Sequence, residues 1–171
     1  EREACNIFLI WEVIRPILQG YPSFIIPDET IYDPRQLVAF LEKYRITRVL
    51  FTPSLLEQVL NTPRLDLHNR LAHLQIVWLN GEVVPTALQV RFFAQLPRVK
   101  LLNDYSISAC HDVCTHDLSE LNPALSPKYA PLGLPMSNVR IYLLDEQLRS
   151  VPQGLTAEIY VGGDSLARGY L

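Results

Sequence analysis

Short apolar bursts alternate with amphipathic helical stretches through the first hundred residues, and this alternation constrains the chain more than any other feature. "SFIIP" (23–27), "RVLFT" (48–52), "LQIVWLNG" (74–81) and "KLLNDY" (100–105) have the length and apolar content of buried strands. Between or before them, residues 10–19, 33–45, 53–61 and 85–96 carry apolar side chains at helical spacing. Asp33 followed by Pro34 is an N-cap with proline at the first helical position, and Pro53 and Pro85 open two further helices. Pro16 lies inside the first helical run and predicts a kink or a break there. Strands that alternate with helices are accommodated by parallel pairing with crossovers. The predicted fold class is therefore α/β, a mainly parallel sheet flanked by helices.

The pattern changes near residue 118. Residues 119–135 contain four prolines and no periodicity, which predicts an irregular connection. "NVRIYLLDE" (138–146) and "AEIYVGG" (157–163) then read as two strands around a turn, giving a smaller antiparallel β unit at the C-terminal end. The expected organisation is a parallel α/β subdomain over 1–118, a connection over 119–137, and the start of a smaller β subdomain over 138–171. Ligands of such sheets bind beyond the carboxyl ends of the strands. "FTPS", "LNGE" and "LNDYS" are those ends here.

Composition narrows the partners. The 171 residues carry a net charge of −3 and a pI near 5.8, which excludes the electrostatic footprint of a nucleic-acid or anionic-membrane binder. The longest apolar runs are too short to span a bilayer, and "EREACN" does not read as a signal peptide. Three cysteines, Cys5, Cys110 and Cys114, define no disulfide framework, so a reducing, cytoplasmic setting is expected.

Three constellations stand out. "CHDVCTH" (110–116) gathers two thiols and two imidazoles, the ligand types zinc prefers, but at a spacing unlike a zinc knuckle; buried, inert thiols are the competing reading. "GGDSLARGYL" (162–171) has paired glycines that suit either close approach to a ligand or a plain loop after a strand. "WLNGEVVP" (78–85) places Gly81 and Glu82 ahead of a helix, where backbone amides can hold a ligand or a carboxylate can complement the helix dipole. Neither a Walker-type phosphate loop nor a G-x-S-x-G elbow is present.

Taken together these motifs resemble the central part of an adenylation domain of the nonribosomal peptide synthetase and acyl-CoA synthetase superfamily. "GLTAEIYVGGDSLARGYL" (154–171) follows that family's G-E-L-x-[IV]-x-G-x-x-L-A-R-G-Y-L signature, with Ala157 in place of its glycine. "LLNDYSISA" is similar to its N-x-Y-G-x-T-E loop, "IVWLNGEVV" to its adenine loop, and "IWEVIRPILQGYPSFII" to a stretch of peptide synthetases. The resemblance implies a parent enzyme that joins a carboxylic or amino acid to ATP, with Mg²⁺, and passes the acyl group to a carrier-protein phosphopantetheine or to CoA. It implies no cofactor needed for folding, and neither nucleic acid nor membrane as partner. It implies nucleotide contacts from Gly81, Glu82, Val83, Asn103, Asp104, Tyr105 and Ser108. It places Trp11, Leu50, Trp78, Asn80, Asp104 and Asp112 around the acyl pocket, where two inward tryptophans would favour a small acyl group.

Departures from the family pattern carry their own expectations. Its metal-facing acid is Ala109 here, which has no side-chain oxygen for a hard cation. The Asp that holds an amino-acid ammonium is missing from Ile7, Phe8 and Leu9, which argues against a standard α-amino acid, while a shifted acid such as Asp104 could hold a different amine. The phosphate loop, the ribose-binding Asp and the catalytic Lys do not occur within these residues. The chain by itself is therefore expected to contain no catalytic residue and to be inactive. The alternatives are a non-catalytic nucleotide- or protein-binding descendant of the family, and a zinc-stabilised interaction module.

Overall fold

The computed structural model describes residues 1–6, 9–122, 124 and 128–170, and the side chains of residues 9–12 lie outside that description. It comprises two compact units: unit 1 is Glu1–Asn103 with Asp117–Pro131, and unit 2 is Asp104–His116 with Leu132–Leu171.

Unit 1 is built on parallel strands β1 (Glu3–Cys5), β2 (Ser23–Ile25), β3 (Arg48–Phe51), β4 (Ile76–Leu79) and the first half of β5 (Lys100–Ile107). Their order is β2-β1-β3-β4-β5. The register lines up Ala4, Val49, Val77 and Leu101 in one row, each fully buried. Phe51 and Leu79 extend the same face, which packs on Leu37, Val38 and Leu41 of α3 (Pro34–Lys43), Leu56 and Val59 of α4 (Pro53–Asn61), and Leu88 and Phe92 of α6 (Thr86–Gln95). Strand alternation sends Glu3, Arg48, Leu50 and Trp78 to the opposite face.

The local signals work as their chemistry requires. The Asp33 carboxylate accepts from the amides of Arg35 and Gln36 at 2.8 and 3.4 Å, with Pro34 at the first helical position. Thr52 Oγ1 accepts from the Leu55 amide at 3.2 Å ahead of α4. The break expected at Pro16 does not occur: α1 (Leu9–Gln19) runs through it as one helix. The ring forfeits one amide donor, but Pro16 is buried against the unit, and tertiary packing supplies most of the stability of a short helix. Gly20, at φ +73°, ends the helix. Two short helices, α2 (Asp28–Ile31) and α5 (Leu67–Arg70), occupy stretches between the predicted elements.

Residues 117–131 return to unit 1. Gln89, buried in α6, donates to the Leu118 carbonyl at 2.8 Å, and the Ala130 amide donates to Val84 at 2.9 Å. Burial opposes the charge on Asp117, but hydrogen bonds from Ser119 and Lys100 outweigh it and hold the carboxyl below its ordinary range.

Unit 2 contains the second half of β5, then β6 (His111–Asp117) and β7 (Leu134–Pro135), in the order β5-β6-β7. β6 and β7 are antiparallel, pairing Cys114 with Pro135 and Thr115 with Leu134. β8 (Val139–Leu144) and β9 (Glu158–Gly163) form a separate antiparallel pair, from Val139↔Gly163 to Leu144↔Glu158. The mainly parallel α/β sheet and the small antiparallel unit are both as expected from the sequence pattern. The core of unit 2 is Cys110, Val113, Cys114 and Val139, with Tyr105, Ile141 and Val161 packed against it.

That core explains two of the sequence constellations. Gly163 has φ +122°, and a Cβ there would come within 2.0 Å of the Asn138 carbonyl oxygen, so the glycine is required by the close approach of β8 to β9. Burial pushes both the Cys110 and Cys114 thiols up from the ordinary cysteine value, with the Asp104 carboxylate adding to the effect at Cys114.

Gly163→Ala is expected to cost at least about 2 kcal/mol, since backbone strain alone reaches about 1–3 kcal/mol and a clash with backbone adds to it. Hydrogen exchange will show lost protection across β8 and β9, with β3 and β4 little changed. For the thiols, a raised pKa leaves less thiolate at any given pH. Iodoacetamide at pH 8 is therefore expected to alkylate Cys110 and Cys114 far more slowly in the folded protein than in urea.

Candidate functional site

On unit 1, the carboxyl ends of the strands carry the polar residues. Leu50 and Trp78 are direct register partners on the face opposite the main core, with Leu102 next in the row. Beyond Trp78 and Leu79 come Asn80, buried, and then Gly81 at φ +85°, Glu82 and Val83, all exposed. Asn103 pairs in register with Leu79. It is also buried, and its amide donates to the Pro131 carbonyl at 2.8 Å. The "NGEV" loop and Asn103 are thus neighbours at one sheet edge.

Glu82 has a structural task that neither sequence reading anticipated. Its carboxylate accepts from the Ser54 amide at 3.1 Å and from Ser54 Oγ at 2.6 Å, so it caps α4 rather than its own helix. An anion at a helix N-terminus offsets the unsatisfied amides and the dipole. The first amide of α6 is engaged as well, donating from Thr86 to the Lys128 carbonyl at 3.1 Å. Ser54 was not singled out in the sequence, although its place after the Thr52–Pro53 cap was the available signal.

The other end of the same sheet face holds a charged cluster. Glu3, 1% exposed, accepts from Arg15 Nε at 3.0 Å and from Nη2. The Arg15 guanidinium lies 4.2 Å from the Trp78 ring centroid and that of Arg48 lies 5.7 Å from it. Stacking of this kind contributes about 0.5–2 kcal/mol according to desolvation. Glu3 escaped notice because a three-residue strand beginning on a carboxylate has no strand signature. Trp11 belongs to α1, but its side chain lies outside the described residues.

On unit 2, Asp104, Tyr105, Ser108 and Asp112 occupy the β5–β6 hairpin, joined by a turn over residues 108–110. Tyr105 is partly buried on the cysteine cluster, Ser108 is exposed, and Asp112 pairs with His111 Nδ1 at 3.2 Å. The Ala109 carbonyl accepts from the Ala167 amide at 2.7 Å, which ties the segment after β9 to this turn. No group of three or more His, Cys, Asp or Glu side chains that could hold a metal ion occurs among the described residues, and the zinc reading of "CHDVCTH" finds no ligand set there. No helix among the described residues is long and apolar enough to cross a membrane.

The comparisons with known proteins fit this geometry. A family model described as AMP-binding enzyme matches residues 4–171. The chain is 40% identical over its whole length to the glycine betaine reductase ATRR of Emericella nidulans, spanning 13% of that protein. It is 32% identical over 95% of its length to the nonribosomal peptide synthetase asaC of Aspergillus flavus, spanning 15% of it. The structure of the nonribosomal peptide synthetase FmoA3 superposes on all of the chain with a TM-score of 0.88 at 23% identity, the chain covering 19% of it. Family match and fold agree, and the chain belongs to the AMP-binding enzymes, with the fold of a stretch of a nonribosomal peptide synthetase adenylation domain.

Proposed function

We propose that the protein to which these residues belong activates a small carboxylic acid with ATP, forming an acyl-adenylate that is passed to a phosphopantetheine or CoA thiol. The observation that carries this reading is the exposed Gly81–Glu82–Val83 loop beside Asn103 at the carboxyl edge of unit 1, in a chain whose family match runs over residues 4–171. Carboxyl edges of parallel sheets are where such ligands bind. In this proposal Gly81, Glu82, Val83, Asn103, Asp104, Tyr105 and Ser108 are the nucleotide contacts that the family resemblance implies. Leu50, Trp78 and Asn80, with Trp11, Asp104 and Asp112, line the acyl side.

The acid proposed is one without a free α-ammonium. Ile7, Phe8 and Leu9 offer no carboxylate to hold one, and the relative from Emericella nidulans is named for glycine betaine. Mg²⁺ does not fit at position 109. The side chain of Ala109 has no oxygen, and its carbonyl, one lone pair engaged by the Ala167 amide, leaves a single neutral donor in place of a carboxylate. No step is assigned to a metal there, and the 171 residues by themselves are proposed not to catalyse adenylation.

The test combines binding and turnover. Calorimetric titration of the 171-residue chain with AMP is expected to show weak, saturable binding. Val83→Asp, on a side chain 66% exposed, should weaken it about tenfold by setting a carboxylate that must be desolvated against the adenine, with no change in thermal stability. Pyrophosphate exchange by the longest natural polypeptide carrying these residues should be supported by glycine betaine and other small acids, and poorly by aromatic amino acids. AMP affinity indifferent to Val83, with no acid supporting exchange, would exclude the proposal.

A further inference from the structure

Two cations lie over the Trp78 ring, each tied to a carboxylate. Arg15, from the middle of α1, stacks on the ring at 4.2 Å, and Arg48, at the start of β3, lies at 5.7 Å. Arg48 donates to Glu1 at 2.7 Å, while Arg15 directs both Nε and Nη2 to one oxygen of Glu3. Glu3 lies directly opposite Arg48 in the β1–β3 register, so the buried carboxylate sits between two arginine-bearing elements.

Only Glu3 is buried, the Arg15 side chain being 30% exposed, and desolvating the carboxylate offsets much of what the pair gains in stability. Its yield is geometry. A planar guanidinium held through two nitrogens has a fixed orientation, and a flat cation over an indole fixes the ring in turn. A lysine ammonium in the same place would satisfy the charge without setting the plane.

We infer that Arg15, oriented by the buried Glu3, is a positioning residue that holds the Trp78 ring in place and thereby sets the size limit of the acyl group. This rests on the reading of the Leu50–Trp78 face as the acyl side. With Arg15 stacked on it from α1 and Arg48 beside it from β3, the half-buried ring loses these contacts if it swings aside for a longer chain. The pocket accepts short acids and excludes extended ones.

The test is a size series of straight-chain acids in pyrophosphate exchange, using the longest natural polypeptide with these residues. Arg15→Met keeps the length and removes the planar cation. It is expected to raise kcat/KM for longer acids relative to the shortest by about tenfold, the scale at which one methylene matters in an apolar pocket, mainly through KM. Arg15→Lys should fall between the two. Trp78→Ala should produce the same shift, and adding Arg15→Met to it should produce no more. A size profile unchanged in Arg15→Met but shifted in Trp78→Ala would overturn the inference and leave the acyl-pocket reading intact. A profile unmoved by either variant would overturn both. A separate readout needs no turnover. In the 171-residue chain with Trp11→Phe, acrylamide quenching of Trp78 fluorescence should rise in Arg15→Met and in Glu3→Gln, each checked as folded by circular dichroism. Unchanged quenching in folded variants would show that the arginine does not position the ring.

Discussion

The row of Ala4, Val49, Val77 and Leu101 across four adjacent strands is the arrangement on which unit 1 depends. All four are fully buried, and α3, α4 and α6 gather over them and over the neighbouring row of Phe51 and Leu79. Parallel strands expose two faces, each needing cover, and the alternation of side chains commits whatever lies one residue away to the other face. A one-residue slip of β4 would bring Trp78 into the helix-packed core and Val77 and Leu79 out of it. The register that builds the core therefore also presents Leu50 and Trp78 as a pair on the second face.

The second row ends on a change of chemistry. Phe51 and Leu79 are followed across the sheet by Asn103, whose amide is used to hold Pro131. Here the apolar core gives way to polar residues at the strand ends, and nearby Glu82 reaches back to Ser54. Residues proposed here for nucleotide contact thus also tie the edge together. Loops tied down by such hydrogen bonds suit a site that must meet a ligand without reorganising.

How far the sequence could be read depended on whether a signal was local. The caps at Asp33 and Thr52 depend on a few consecutive residues, and the helices they open begin where the sequence places them. β1 and β6 were not legible in the same way. "EAC" is three residues with a buried carboxylate, and "HDVCTHD" mixes polar and apolar side chains without clean alternation. Both are strands because neighbouring strands pair with them. The short helices at Asp28–Ile31 and Leu67–Arg70 are likewise stabilised by context rather than propensity. Which core a segment joins was also beyond local reading: the proline-rich composition marks the connection after residue 118, whereas most of β6 packs with β8 and β9 through Cys110, Val113 and Cys114.

By itself the sequence determined the α/β class, the starts of the longer helices, the polar strand ends and the family, because each is written in spacings of a few residues or in motifs. Tertiary structure alone decided what those residues do. It turned Glu82 into the cap of a neighbouring helix, set Gly163 against the Asn138 carbonyl, and placed Glu3 and Arg15 around Trp78. These are contacts between residues 12 to 63 positions apart, or across a hairpin, and no local pattern specifies them. They exist only once burial has chosen the register and the chain has met itself.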